Sequence, residues 1–477
     1  MSEIDTTKEL ETKSIKTLLW QYAVPAVASQ VVTSIYNIVD SIFLGHSSDG
    51  LGKLYLAALA ITFPLMNIIH AFGSLVGAGA SARMSIVLGR KDIRWAEKIL
   101  GNTVLLTFLF GFLFVTAGYL WMRPILLLFG ASDDTINYAC QYMNIVLPGM
   151  FLVTLTYNLT GLIRSTGYPM KAMWIMVGGA AANILLDYIL IDVMNLGVVG
   201  AAWGTTISMA LTTVVSVAHF LQPHSFIRFH RHIWAPKLYI FRNILAIGIS
   251  PFSMNVAAFA VVAVLNHQLS TYGGDNAVAV YGVVNRAAGL IVMMFLGLCQ
   301  GMQPIAGYNL GSGRNDRLKE VYLLTMKVCV ALGIAGMAVS LIFPATIIKC
   351  FNSEEDIVSV GVPALRYLLV FAPLIAFTIV NSQLFQSIDL PWIAIVTSLS
   401  RQVIFLIPIS LILPGILYNM NGDGVTGVWL SCTICDFLGA ALSAALLLAN
   451  RKVFSAGYQP PARHHRKEAG PKNGENK

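Results

Sequence analysis

The sequence predicts an all-α integral membrane protein with twelve transmembrane helices in two parallel six-helix repeats, an N-lobe and a C-lobe. Of the 477 residues, 56% are hydrophobic and only 11% are charged, and the mean hydropathy is +0.70. These values do not fit domains that are surrounded by water. Forty glycines and eighteen prolines are spread along the chain, which suits membrane helices that pack closely and bend. The composition is typical of a transporter or a channel.

Apolar runs of about 20 residues, the length that crosses a bilayer, are separated by charged or turn-rich breaks and predict the helices in order. We number these runs as spans 1 to 12. They lie near residues 18–44, 56–80, 100–121, 138–161, 172–192, 199–221, 244–268, 278–300, 322–343, 364–386, 394–413 and 426–449.

Positive residues are distributed unevenly between the loops on the two sides of the membrane. In the loops opposite the N-terminus, the only Lys or Arg residues are Lys53, Arg123 and Lys349. The positive-inside rule therefore predicts a multi-pass protein of the plasma (inner) membrane with both termini cytoplasmic. Residues 1–17 form a polar N-terminus without a signal peptide, and the net charge of +8 is assigned to inner loops, which excludes a nucleic-acid partner. The basic tail 450–477 lacks hydrophobic periodicity and is expected to be disordered.

The second half of the chain repeats features of the first at a nearly constant offset. The pairs are Pro25 and Pro251, Gly77 and Gly301, Gly89 and Gly313, Pro148 and Pro373, and Gly200 and Gly427. Because each half holds six spans, both halves begin on the same membrane face, which suits rocking of two lobes about a central cavity. The expected division is an N-lobe at 18–221, a cytoplasmic inter-lobe loop at 222–243 and a C-lobe at 244–449.

Two carboxylates of the N-lobe are out of place in an apolar environment. Asp40 on span 1, Asp187 on span 5 and Thr205 on span 6 are predicted at nearly one depth, about 7 to 9 Å below the outer boundary. Asn183 lies one helical turn before Asp187 on the same face. Two like charges in a dry lobe do not both ionise cheaply, so one carboxyl holds a proton or the pair holds a cation. These residues predict an ion-coupling site.

The third acid that lies well inside a span is Asp436 on span 12, and it has no acidic partner in its lobe. Arg286 and Arg401 are the buried or half-buried cations there, so we expect a structural ion pair between Asp436 and one of them. In span 1, Pro25 leaves the carbonyl of residue 21 without its helical partner, and we expect either a hinge or a static kink at this position.

The motifs that carry these residues resemble those of the multidrug and toxin extrusion (MATE) family from span 1 to span 12. They are Gln21-Tyr-Ala-Val-Pro25, Tyr36-Asn-Ile-Val-Asp40, Asn183-xxx-Asp187, Gly200-Ala-Ala-Trp-Gly-Thr205 and Gln300-Gly-Met-Gln303-Pro304-Ile-Ala-Gly307-Tyr-Asn309. The resemblance implies a two-lobed exporter of cationic or amphiphilic organic compounds, driven by inward H⁺ or Na⁺, with no other cofactor and a monomer as the expected unit.

The resemblance also assigns individual residues. Asp40, Asn183, Asp187 and Thr205 match the family's cation site, where Na⁺ is the one metal expected, and Tyr36, Met176 and Met209 match residues that line its cavity. Asn158 on span 4 is assigned to the cavity as well. Some branches carry a glutamate on span 7 and an aspartate on span 10, whereas span 10 here offers only Asn381 and Gln383. Coupling is therefore predicted in the N-lobe alone.

Two other classes of function stay open from the sequence. A lipid-linked sugar flippase of the same superfamily would need a cavity with several arginines, of which only Arg286 qualifies. An integral membrane enzyme would need a nucleophile or a metal beside an acid or base, and the isolated His70 and His267 have no such companion at helical spacing. For the coupling ion, H⁺ is favoured over Na⁺ because protonating one acid of a close pair needs no set geometry of ligands.

Overall fold

The computed structural model describes residues 7–45, 51–222, 225–351 and 354–458, and within these ranges the chain is helical without a β-strand. In this part of the chain, nine helices are long and apolar enough to cross a membrane, or ten if a bent pair counts as one span. One of these, Leu238–Gly311, contains both span 7 and span 8, which meet at Gly274, and span 1 is a further helix of 31 residues. With these two included, the helices account for the twelve predicted spans, and the predicted fold class is confirmed.

The N-lobe contains spans 1 to 6. Their helices are Ile15–Gly45, Gly52–Gly89, Ile93–Leu128, Ile136–Ser165, Pro169–Asp187 and Gly197–Leu221. A π-helical turn, Tyr188–Val193, extends span 5 directly after Asp187. A short helix, Thr7–Thr12, precedes span 1, and we call the membrane face on which it lies the N-terminal face.

The C-lobe contains spans 7 to 12. Its helices are Leu238–Gly311 for spans 7 and 8, Asn315–Ile342 for span 9, the short Pro344–Lys349, Glu355–Leu369 and Ala372–Ser387 for span 10, Pro391–Leu399 and Ile407–Asn421 for span 11, and Gly424–Ala449 for span 12. The chain turns between spans 7 and 8 at Gly274, whose φ of +66° suits only glycine. Span 10 bends by 46°, and a second π-helical turn, Ser400–Leu406, interrupts span 11.

The two lobes pack closely in the half of the membrane next to the N-terminal face. A β-carbon added to Gly79 of span 2 would collide with the carbonyl of Ile244 on span 7, and one added to Gly248 would collide with the carbonyl of Leu75. Glycine at these positions lets the two backbones touch, as is common between membrane helices. The Asn255 amide on span 7 also donates to the Ser74 hydroxyl, 3.2 Å away.

The first residues of the expected disordered tail are ordered, which corrects that part of the prediction. Arg451–Phe454 form a 3₁₀ turn, and Val453 is 3% exposed. The Asn315 amide donates to the carbonyls of Ser455 and Tyr458 at 2.7 and 3.1 Å. Packing against the start of span 9 therefore fixes this segment, although it has no periodicity of its own. Residues 459–477 lie outside the described ranges.

Candidate functional site

The structure brings the two acids of the N-lobe together. Asp40 lies in the last two turns of span 1, and Asp187 is the final α-helical residue of span 5 before the π-helical turn. The two carboxylates are close enough to interact electrostatically. Asn183 is one turn before Asp187, and Thr205 lies in the third turn of span 6. Span 1 and the consecutive spans 5 and 6 thus supply one polar cluster, which we call the N-lobe site.

Buried polar atoms without hydrogen-bond partners are concentrated in this cluster, although they also occur at other described residues such as His219 and Asp436. Asn183 and Asp187 are 1% and 0% exposed. Neither the amide of Asn183 nor the carboxylate of Asp187 has a hydrogen-bond partner among the described residues, and the same holds for Oδ1 of Asp40. Buried polar atoms normally have partners, and unsatisfied ones call for an explanation such as an ion or a functional role. The N-lobe site therefore has free oxygen ligands for a small cation or a proton.

The local sequence of span 6 makes room for the Asp187 carboxylate. A β-carbon on residue 204 would collide with Oδ1 of Asp187, and this residue is glycine. Gly200, one turn earlier, would collide with the carbonyl of Leu190 in the π-helical turn if it carried a side chain. The small residues of the Gly200–Thr205 motif therefore allow span 6 to approach span 5. Isolated π-helical turns occur often at functional sites.

Tyr142 on span 4 is a member of the cluster that the sequence did not reveal. Its side chain is 2% exposed, faces Thr205 and lies within electrostatic range of Asp40, Asp187 and Tyr36. Tyr142 is four residues inside the predicted outer end of span 4, which corresponds to about 6 Å of helix rise. The predicted depth of Tyr142 below the outer boundary was therefore the signal that could have identified it, since Asp40, Asp187 and Thr205 are predicted at a similar depth.

The residues matched to the cavity extend from the N-lobe site along the same helices. Tyr36 is one turn before Asp40, Met209 one turn after Thr205, and Met176 two turns before Asn183. All three side chains are partly exposed, as expected for residues that border a space between helices.

The assignment of Asn158 to the cavity is not supported and is corrected. Asn158 is sixteen residues along span 4 from Tyr142, or about 24 Å of helix. Its side chain is fully buried, and its amide donates to the Thr107 hydroxyl on span 3 at 2.8 Å. Its carbonyl oxygen lies against Gly77 of span 2. Asn158 joins spans 2, 3 and 4 and does not face the N-lobe site.

In the C-lobe the partner of Asp436 is Arg401. The Arg401 guanidinium donates through Nε to Oδ1 of Asp436, which is 1% exposed. Arg286 is exposed on span 8 and does not pair with Asp436 in the structure, so its inclusion in the ion pair is corrected. On span 10, Asn381 accepts a hydrogen bond from the Tyr322 hydroxyl and donates to the Ser443 hydroxyl, each at 2.8 Å. Oδ1 of Asp436 and the side-chain amide of Asn381 thus have partners, whereas Oδ2 of Asp436 is buried without one among the described residues.

The fold and the site define a multi-pass membrane transporter made of two six-helix lobes, with a close pair of carboxylates in one lobe. The chain belongs to the MatE family, which it matches over residues 25–189 and 247–412, one segment in each lobe. The resemblance read from the motifs is thereby confirmed.

Similar proteins span the same length. The chain is 26% identical over 445 residues to the multidrug export protein MepA of Staphylococcus haemolyticus, covering 92% of this chain and 95% of that protein. It is 25% identical over 431 residues to MepA of Staphylococcus aureus, with 90% and 92% covered. Among solved structures, MATE in the straight conformation has a TM-score of 0.85 at 25% identity, over 93% of this chain and 97% of that chain. An outward-facing multidrug resistance MATE family transporter of the MOP superfamily has a TM-score of 0.85 at 23% identity, with the same coverage.

Proposed function

We propose that this protein is a secondary active antiporter that exports cationic or amphiphilic organic compounds in exchange for inward H⁺ or Na⁺. The observation that carries the proposal is the N-lobe site, where Asp40 and Asp187 lie together and their buried oxygens lack hydrogen-bond partners among the described residues. Intramembrane carboxylates of this kind are functional by default, because burying them without a role is costly. Multidrug export by the similar MepA proteins agrees with the proposal.

Ion binding and substrate binding are coupled through charge in this mechanism. A proton or Na⁺ that enters from outside neutralises Asp40 or Asp187, which weakens the attraction for an organic cation and favours its release outward. One unit charge that moves down a potential of 100 mV makes about 2.3 kcal/mol available. One or two ions per cycle could therefore support a substantial substrate gradient.

Tyr36, Met176 and Met209 supply the substrate-binding surface. The tyrosine ring offers a π-face to a positive charge, and the flexible thioethers of methionine adapt to varied shapes. We therefore expect broad specificity for flat, apolar cations, with a monomer as the working unit in the plasma membrane. The Lys and Arg distribution supports cytoplasmic termini, so that the N-terminal face is the cytoplasmic face.

The direct test replaces each acid by its amide. In Asp40→Asn and Asp187→Asn variants, we expect gradient-driven dye efflux from vesicles to fall to background, because shape is kept while the titratable charge is lost. The matched control is Asp192→Asn, since Asp192 is an exposed acid on the π-helical turn that follows Asp187. Normal efflux by either Asp40→Asn or Asp187→Asn at matched expression would disprove coupling through the N-lobe site.

A further inference from the structure

A buried ion pair joins the two lobes close to the N-terminal face. Nη1 of Arg83, on span 2, is 2.9 Å from Oδ2 of Asp389, in the connection between spans 10 and 11. The two side chains are only 4% and 5% exposed. Among the described ion pairs, the others between side chains are partly exposed or, as for Arg401 and Asp436, lie within one lobe.

Asp389 has a backbone conformation in which glycine would be less strained, so the presence of an acid there calls for an explanation. Asp389 has a φ of +62°, in the left-handed region that usually belongs to glycine. The repeat has glycine at this point, since Gly167-Tyr-Pro169 between spans 4 and 5 corresponds to Asp389-Leu-Pro391, and Gly167 has a φ of +101°. Glycine would adopt the left-handed backbone of this turn without strain, but it could not form the ion pair with Arg83 that the aspartate carboxylate forms.

The two lobes are closely packed around the pair. Gly307 of span 8 packs on Ser85, and Gly89 packs on the carbonyl of Tyr308, so that backbones touch within two turns of Arg83. With the lobes together, the two charges are enclosed, and Arg90 lies within electrostatic range of both. Loss of the Asp389 charge would leave Arg83 buried without this counter-charge, which is strongly destabilising. With the lobes apart, both charges would face water, where such a pair contributes little.

We propose that Arg83 and Asp389 are positioning residues that form a latch between the lobes, which stabilises the state closed at the N-terminal face and breaks when that face opens. The proposal rests on alternating access of the two lobes in the antiport proposed above. Neither residue belongs to the N-lobe site or to the residues proposed above to bind the transported compound. Their effect is on the equilibrium between the two states, which a ligand or a mutation shifts only through differential stabilisation.

The test uses Asp389→Asn, because asparagine adopts a left-handed backbone as readily as aspartate and only the charge is lost. Spin labels at Arg94→Cys and Lys319→Cys, both exposed sites at the N-terminal face on different lobes, report the lobe separation when the native cysteines are replaced. We expect the ratio of open to closed populations to rise about tenfold. The control is Glu97→Gln, which removes a partly exposed pair with His230 that does not involve the C-lobe.

Further variants separate a latch from a merely structural contact. Asp389→Gly removes the charge and also relaxes the turn, so it should shift the distances as Asp389→Asn does even if the asparagine variant folds poorly. Arg83→Gln removes the charge of the other partner and should shift the distances in the same direction, and the double variant Arg83→Gln with Asp389→Asn should shift them by less than the sum of the two single changes, because both remove the same pair. Unchanged distances in both Asp389 variants, or fully additive shifts in the double variant, would overturn the latch.

Dye efflux measured on the same variants keeps this proposal distinct from the proposed antiport. Shifted distances in a protein that never couples efflux to an ion gradient would support the latch and refute the antiport. Unchanged distances with normal gradient-driven efflux would refute the latch and leave the antiport standing.

Discussion

The Asp187 carboxylate is held at the N-lobe site by a neighbour that has no side chain. In Gly204→Ala, the new methyl group would collide with Oδ1 of Asp187, so the carboxylate would have to shift. Overpacking of this kind costs about 1 to 3 kcal/mol, and a tenfold change in affinity corresponds to about 1.4 kcal/mol. We therefore expect apparent coupling-ion affinity in vesicle efflux to fall by roughly tenfold or more. The control is Gly178→Ala on span 5, where an added β-carbon meets open space. Equal effects of both substitutions would contradict this role of Gly204.

The Asp436 and Arg401 pair predicts an effect on stability and not on coupling. Asp436→Asn leaves Arg401 without its counter-charge. Because Arg401 is 25% exposed, we expect the free energy of unfolding to fall by about 2 kcal/mol, which is below the usual range for breaking a buried pair. Thermal melting in detergent measures this loss. Replacement of both residues, Asp436→Leu with Arg401→Met, should be nearly neutral, and Arg286→Gln should have little effect because Arg286 is exposed. Altered ion dependence of efflux in a stable Asp436→Asn variant would instead indicate a second ion site.

For the residues of the N-lobe site, the sequence could predict the depth of each side chain along its helix but not the neighbouring helix that it faces. Counting residues from the span ends placed Asp40, Asp187 and Thr205 at one level, and the structure has them in one cluster. Tyr142 was not found because a tyrosine in an apolar run looks like an ordinary packing residue. Asn158 was misassigned because helix periodicity does not show which neighbouring helix a side chain faces.

At the scale of single helices, span 1 connects the two lobes. Before Pro25, Ala23 packs against Gly301 of span 8, and after it Tyr36 and Asp40 belong to the N-lobe site. Pro25 is inside the continuous helix Ile15–Gly45, and its carbonyl accepts a hydrogen bond from the Ser29 hydroxyl at 2.8 Å. A bend at this position would therefore move the ion site relative to the C-lobe.

Replacing this proline tests whether the bend is used. Pro25→Ala restores the hydrogen bond to the carbonyl of residue 21 and stiffens the helix. We expect slower efflux in vesicles with an unchanged or higher melting temperature. Pro148→Ala serves as the comparison, because Pro148 also lies inside a span of the N-lobe. If Pro25→Ala lowers the melting temperature and leaves efflux rates unchanged, Pro25 is a static kink.

The existence and order of the helices were predictable, but the positions of their ends and the interruptions within them were not. Apolar length and turn residues predicted all twelve spans, because crossing a bilayer constrains every helix in the same way. The π-helical turns at Tyr188–Val193 and Ser400–Leu406 follow from packing between neighbouring helices, which no local pattern in the sequence encodes. The same reason applies to Arg83 and Asp389, since their pairing depends on how the two lobes meet.

At the scale of the whole molecule, the two lobes share a fold and differ in charge. The family matches both halves separately, whereas among the described residues the two neighbouring buried acids lie in the N-lobe, and the buried acid of the C-lobe, Asp436, is paired with Arg401. The C-lobe has Asn381 on span 10, bound to Tyr322 and Ser443. Such a division of roles would let one lobe bind ions while the other provides the surface against which it rocks.

The two candidate coupling ions, H⁺ and Na⁺, differ in the number of ligands that they require from the N-lobe site. A proton needs a single carboxylate, whereas Na⁺ needs several oxygens, which Asp40, Asn183, Asp187 and Thr205 could supply together. In Thr205→Val a ligand oxygen is lost at nearly constant volume. We propose H⁺ coupling, for which Thr205→Val should leave efflux largely intact under an imposed H⁺ gradient. The control is Thr206→Val, because the Thr206 hydroxyl instead donates to the carbonyl of Ile145 on span 4 at 3.2 Å.

The measurement is dye efflux from vesicles under separately imposed H⁺ and Na⁺ gradients at fixed membrane potential. Under H⁺ coupling, withdrawal of Na⁺ at fixed pH should not change the rate, and collapse of the H⁺ gradient should abolish transport. Under Na⁺ coupling, withdrawal of Na⁺ should stop efflux, and Thr205→Val should require far more Na⁺ than Thr206→Val. The second pattern would show that the oxygen atoms of the N-lobe site act together as ligands of Na⁺, and the preference for H⁺ would then be wrong.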